Sequence, residues 1–248
     1  MPAERLGWAM RSGLPLTFVS LLVARVAYGA EEFPPFLRGA GEFPSDVRAE
    51  IVSVWNGYTF TRAVEGRSAH VPLEVYRLFV DHPDVTAAAS HHLGLAKYRV
   101  QRLAPDRYAA EDGEGASGTY RVLVQDNHRR VMLTRGSHEG RILGRISGAS
   151  LTILSFGVRA GEDGVPAVAQ RVETFVLIEN QVAAFFARLL VPLFSRYADR
   201  KIAETFDVTA KVSEWAAREP MAFCAWLASP AGVPARREAF AASFPSCR

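Results

Sequence analysis

The period of the apolar positions changes several times along the chain. Val47, Ile51, Val54 and Trp55 recur at i, i+4, i+7 and i+8, the stripe of a helix with one buried face. Pro44-Ser45-Asp46 opens this helix and Asn56-Gly57 closes it. From Tyr58 the pattern turns to alternation, with Phe60 and then Val64, and predicts a strand running to Val71 with a bend at Gly66. Pro72 suits the first position of a helix whose face is Leu73, Val75, Tyr76, Phe79 and Val80. Pro83 stops that helix because it cannot continue the hydrogen-bond ladder. Residues 84–92 make another short helix, ended by Gly94.

Beyond Gly94 the chain reads as strands separated by turn signals: Ala104-Pro105-Asp106, the run from Asp112 to Gly118, Asp126-Asn127, Ser137 to Gly140, and Gly161 to Gly164. Tyr120, Val122 and Val124 fall on one face, Arg121 and Leu123 on the other. The expectation is a meander of six antiparallel strands, apolar on one face. Residues 180–219 then turn helical, as one long helix or as two broken near Asp207. Val182 to Phe194 contains a single charge, Arg188, and Pro192 inside it predicts a kink. Arg188, Arg196 and Arg200 share one i+4 stripe, with Pro192 in the gap, and are candidates for docking on anionic head groups. Phe186, Leu189, Leu190, Leu193 and Tyr197 cover the other side. From Pro220, with Pro230 and Pro234, the tail reads as an irregular appendage with a short helix around 236–244.

The order is strand, two short helices, six antiparallel strands, long C-terminal helix. It predicts an α+β fold in which a curved antiparallel sheet of about seven strands wraps around the last helix. Ser68-Ala69-His70-Val71-Pro72-Leu73-Glu74-Val75-Tyr76 resembles the passage from first strand to first helix in the START-like superfamily. That superfamily includes START lipid-transfer domains, Bet v 1 plant proteins and the bacterial polyketide cyclase/dehydrase and lipid-transport group. Val80-Asp81-His82-Pro83 resembles its helix-ending turn. The resemblance covers roughly residues 58–219 and implies the helix-grip fold with an apolar cavity between sheet and helix. It implies that the cavity is lined by the long helix, through Phe185, Phe186, Leu189, Leu193 and Phe194, and by inward strand positions such as Tyr120. The competing reading of those helix residues is plain core, because a helix apolar nearly all round is normally buried. The domain reading is therefore residues 1–29 as leader, 30–44 as linker or laid-down arm, 45–219 as helix-grip domain and 220–248 as extension.

Composition narrows the class. With 49% apolar and 22% charged residues the chain is neither disordered nor a polytopic membrane protein. The formal net charge of +3 is concentrated at the N-terminus. Outside residues 1–29, 26 basic and 25 acidic residues remain, a balance that offers a polyanion no global attraction and excludes nucleic acid as an expected partner. Arg5 and Arg11 precede an apolar run from Leu14 to Ala24, and Ala27 and Gly29 then supply the small-x-small spacing of a secretory cleavage site. An apolar run of 11 residues is short for a span of about 20. Arg25 within the cleavage region keeps an uncleaved inner-membrane anchor open, and a buried helix is the third reading. Export, to a periplasmic location, is the expectation.

Cys224 and Cys247, the two cysteines, can close a disulfide in an oxidising compartment or sit as two buried thiols. Six histidines are present. His91 and His92 are adjacent and point about 100° apart on a helix, so they do not readily share a metal, and no metal is expected. Gly113-Glu114-Gly115 with Gly118 fits a Gly-x-Gly-x-x-Gly spacing but lies between strands, where it is a turn. Tyr120, Arg121, His138 and Arg145 lie on or beside strands and are the polar groups open to an inward role. No catalytic residue and no cofactor is assigned. Two functions follow from the resemblance: non-enzymatic binding or transport of a lipid or sterol-like molecule in the bacterial envelope, with peripheral membrane contact, or a cyclase or aromatase acting on a polyketide-like substrate.

Overall fold

The computed structural model describes residues 32–140, 144–160, 165–180 and 195–248. Seven strands form one curved, unclosed antiparallel sheet: β1 (Phe60–Glu65), β2 (Arg99–Ala104), β3 (Arg107–Glu111), β4 (Ala116–Gln125), β5 (Arg129–Gly140), β6 (Gly144–Ala160) and β7 (Pro166–Ile178). Their order is β1-β7-β6-β5-β4-β3-β2, so the six later strands are a meander and the first strand pairs with the last. Helix α1 (Ser45–Gly57) precedes the sheet, α2 (Leu73–Asp81) and α3 (Pro83–His92) lie between β1 and β2, and α4 (Ser195–Arg218) follows β7. α4 packs on α2, α3 and β1. This is the helix-grip arrangement that the element order predicts.

Three local features differ from the sequence expectation, each for a physical reason. β1 ends at Glu65, and residues 66–71 keep only a single bridge, Ala69 with Val168. Carboxylates of α4 accept the amides there: Arg67 N–H donates to Asp207 at 2.7 Å and His70 N–H to Glu214 at 3.0 Å. Pro72 sits just before α2, where its carbonyl accepts from Tyr76 N–H at 3.1 Å. In β4 the register shifts between Val122 and Val124, so Val124 joins Leu123 on the opposite face from Tyr120.

The sheet is apolar on both faces, not one. On β6, Leu154 and Phe156 face α4, while Leu151 and Ile153 face the other way. That outer face is covered by α1 and by residues 33–43. Val47, Ile51 and Val54 meet Val131, Leu133 and Phe175 there, and Leu37 is 1% exposed. Phe36 stacks on Phe175 at 5.8 Å and meets Trp55 edge-on at 5.4 Å.

The C-terminal residues also differ from the loose appendage expected. Pro220 starts helix α5 (Pro220–Ala228), and α6 (Arg237–Ala241) follows. Phe223, Trp226, Leu227, Phe240 and Phe244 are buried in the same core as Tyr76, Phe79 and Trp215. Phe79 lies 5.5 Å from Phe223 and 5.2 Å from Phe240, ring centre to ring centre, both edge-to-face. Cys224 and Cys247 are joined as a disulfide, and Arg236 pairs with Asp84 of α3 at 2.8 Å.

A row of glycines crosses the middle of the sheet. Gly118 on β4 faces Gly136 on β5, which faces Gly148 on β6. A Cβ on Gly118 would overlap the Arg135 carbonyl oxygen and lie 2.7 Å from Gly136 Cα, and one on Gly148 would overlap the Leu177 carbonyl oxygen. The strands thus approach at a distance that no side chain permits, as at the crease of a strongly bent sheet.

Candidate functional site

The crease leaves space on the inner side. A cavity of about 610 Å³ lies between the sheet and the helices, lined from β2 to β7, from α2 and α3, and by Phe206 and Thr209 of α4. Gly118, Gly136 and Gly148 are part of its wall, so the missing side chains that allow the bend also enlarge the space. Val122, Met132, Leu154, Val176 and Ile178 supply apolar surface because alternate strand positions point inward. Glu111, Asp112 and His138 line it too and are exposed to solvent.

The polar groups of the wall fall into two sets. Arg130 of β5 is 3% exposed and is held by Asp81 at the end of α2. Arg130 Nε donates to Asp81 Oδ1 at 2.7 Å, and Nη1 donates to the carbonyls of Asp126 and Arg129. Its guanidinium also lies over the Phe156 ring, 5.3 Å from the centroid. The ion pair is therefore satisfied within the protein, which is what lets two charges persist there.

The second set is three tyrosines, Tyr98, Tyr108 and Tyr120. Tyr108 and Tyr120 stand opposite each other on β3 and β4 and stack at 5.1 Å. Burial pushes all three phenols above the ordinary tyrosine range. For Tyr120, the neighbouring Tyr108, Tyr98 and Asp84 push in the same direction, and for Tyr98 a hydrogen bond with Ser90 acts against burial. Beside the cavity, Tyr76 donates to Gln170 Oε1 at 2.6 Å, and Gln170 Nε2 donates to Arg67 O at 3.0 Å and Phe206 O at 3.3 Å. This bracket ties α2, β7 and α4 together.

Tyr120, one of the cavity candidates, is among the residues lining the cavity. Phe185, Phe186, Arg188, Leu189, Leu193 and Phe194 lie outside the described residues, as does the kink expected at Pro192. Arg196 and Arg200 fall in the first turns of α4, and their side chains are outside what is described. Of the other polar strand residues, His138 reaches the cavity wall, whereas Arg121 pairs with Asp106 at 3.3 Å and Arg145 with Glu139 at 3.7 Å. Sequence reasoning missed Tyr98, Tyr108, Arg130 and the role of Asp81. The signal for Tyr108 was its alternation in a short strand, and for Asp81 its place in the helix-ending turn. Among the described residues, no three His, Cys, Asp or Glu side chains are grouped to hold a metal ion.

No family model matches the sequence, and no curated protein does. Three solved structures align with part of the chain. Ara h 8.0201 aligns over 62% of this chain and 97% of its own, at 12% identity and a TM-score of 0.37. An uncharacterised protein from Rhizobium leguminosarum aligns over 61% and 94%, at 16% identity and a TM-score of 0.37. A hypothetical protein from Helicobacter pylori aligns over 62% and 86%, at 11% identity and a TM-score of 0.38. A first strand paired with the last, two short helices after it, a six-strand meander and a helix across the inner face make this a helix-grip fold.

Proposed function

We propose that the protein binds and carries a hydrophobic ligand, lipid or sterol-like, in its inner cavity without chemical conversion. The observation that carries this is a cavity of about 610 Å³ whose wall is mostly apolar, at a place where ordinary packing would fill the space. Its buried ion pair is saturated by protein partners. Its tyrosines are made poorer acids than usual, so neither set is tuned for proton transfer near neutrality. We also place the protein outside the cytoplasm, on the Leu14–Ala24 run with the Ala27/Gly29 pair; the Cys224–Cys247 bridge is consistent with that compartment.

Mass spectrometry of organic extracts from the purified protein tests the carrier reading. Recovery of a stoichiometric apolar molecule is the expected result. A protein that yields none, and that takes up no apolar fluorescent probe, is not a carrier. N-terminal sequencing of native material tests the location: a start near Ala30 is expected, and Met1 retained on cytosolic protein overturns it.

A further inference from the structure

We propose that the cavity selects an apolar molecule bearing one neutral oxygen, a hydroxyl or a carbonyl, and rejects the same skeleton bearing a carboxylate, with Tyr98 and Tyr120 supplying the hydrogen bonds. This rests on the carrier reading and names its ligand class.

Three observations converge on it. The first is the kind of donor present. Tyr98 and Tyr120 both stand in the cavity wall, and burial keeps their phenols protonated well beyond neutral pH. A neutral phenol donates to, or accepts from, a neutral oxygen without any charge having to be desolvated. Among the described residues no group serves Tyr120 as a side-chain hydrogen-bond partner, so the ligand is the partner open to it.

The second is that the described wall residues include no arginine or lysine without protein partners. Arg130 is the one arginine or lysine among the described wall residues, and Asp81 and two backbone carbonyls already occupy it. The remaining acidic groups of the wall are Glu111 and Asp112, and the charge of Asp84 also reaches Tyr120. A carboxylate entering here loses its hydration and meets acidic neighbours. The third is the body of the site. Val122, Met132, Leu154, Val176 and Phe206 give the rest of the molecule an apolar surface.

The test compares three fluorescent probes on the full mature protein: diphenylhexatriene, a hydrocarbon; retinol; and retinoate, which has retinol's skeleton with a carboxylate. Retinol is expected to bind at least roughly tenfold more tightly than retinoate at neutral pH. In the Tyr98→Phe, Tyr120→Phe double variant, retinol affinity should fall roughly five- to tenfold while diphenylhexatriene affinity stays unchanged. Retinoate binding as tightly as retinol, with diphenylhexatriene bound, overturns this proposal and leaves the carrier reading standing. A preserved retinol preference in the folded double variant overturns the tyrosine assignment. If that variant does not fold, the wild-type ratio decides. If neither diphenylhexatriene nor retinol binds, the carrier reading itself falls.

Discussion

Tyrosine is the residue in which burial and function meet most directly here. Tyr76, Tyr98, Tyr108 and Tyr120 are all pushed above the ordinary value of 10, with burial as the first cause. The sign of the pH effect follows. Below that value both folded and unfolded chains keep these phenols protonated, and they add no slope to stability. Above it the unfolded chain releases protons that the folded chain retains, so stability falls as pH rises. Denaturation between about pH 8 and pH 11 should show this loss, and Tyr120→Phe should flatten it by up to about 1.4 kcal/mol per pH unit. An unchanged slope in that variant would show that the phenol is solvated. Alternation along β4 put Tyr120 on one face of the strand with Val122 but did not say which face turns inward. Tyr98 precedes β2 in a segment with no period, and Arg130 reads as an exposed hairpin charge until Asp81 is brought beside it from a distant helix.

At the scale of elements, periodicity locates helices and strands but does not say what they pack against. The stripe Val47-Ile51-Val54-Trp55 was legible as a helix; that it covers the outer face of β6 and β7 was not, because a stripe carries no address. Val124 changed face because one bulged residue inverts everything after it. The glycine row was readable in principle, as isolated glycines in strand patterns, but only the register shows that they face one another. Gly118→Ala and Gly136→Ala should each cost more than an exposed glycine-to-alanine change, on the order of 1–3 kcal/mol. Thermal melts compared with Gly39→Ala, whose Cβ would meet nothing within 4 Å, check this in spite of the backbone strain at that control. The tail was misread because its prolines suggested irregularity, whereas Pro220 begins a helix. Replacing Cys224 and Cys247 by serine should lower stability by about 3 kcal/mol. Reducing agent should reproduce the loss in the wild type and add nothing in the variant; two free thiols counted in unreduced, denatured protein would contradict the bridge.

The whole molecule uses its sheet twice, with a partly hollow core inside and a filled one outside. The outer core depends on residues that precede the helix-grip elements: Phe33, Phe36, Leu37 and Phe43 pack with α1 against Val131, Leu151 and Phe175. Two truncated chains, starting at Ala30 and at Ser45, test this. A chain starting at Ser45 should lose several kcal/mol, since Phe36 and Leu37 go with it. Equal melting of the two truncated forms would mean that the arm is dispensable.

Because the sheet does not close, it ends in two edge strands, β1 and β2. Such margins invite another molecule to add a strand. β2 answers with cations and a break in its register. Arg99, Gln101 and Arg102 are exposed, pairing slips between Arg102 and Ala104, and the Arg102 guanidinium folds back onto the carbonyls of Ala104 and Pro105. An approaching strand would meet positive charge and a kinked ladder instead of a straight row of acceptors. Protection of this margin against strand addition is thus written in the exposed residues of one short strand, whose Val100 also reaches the cavity wall.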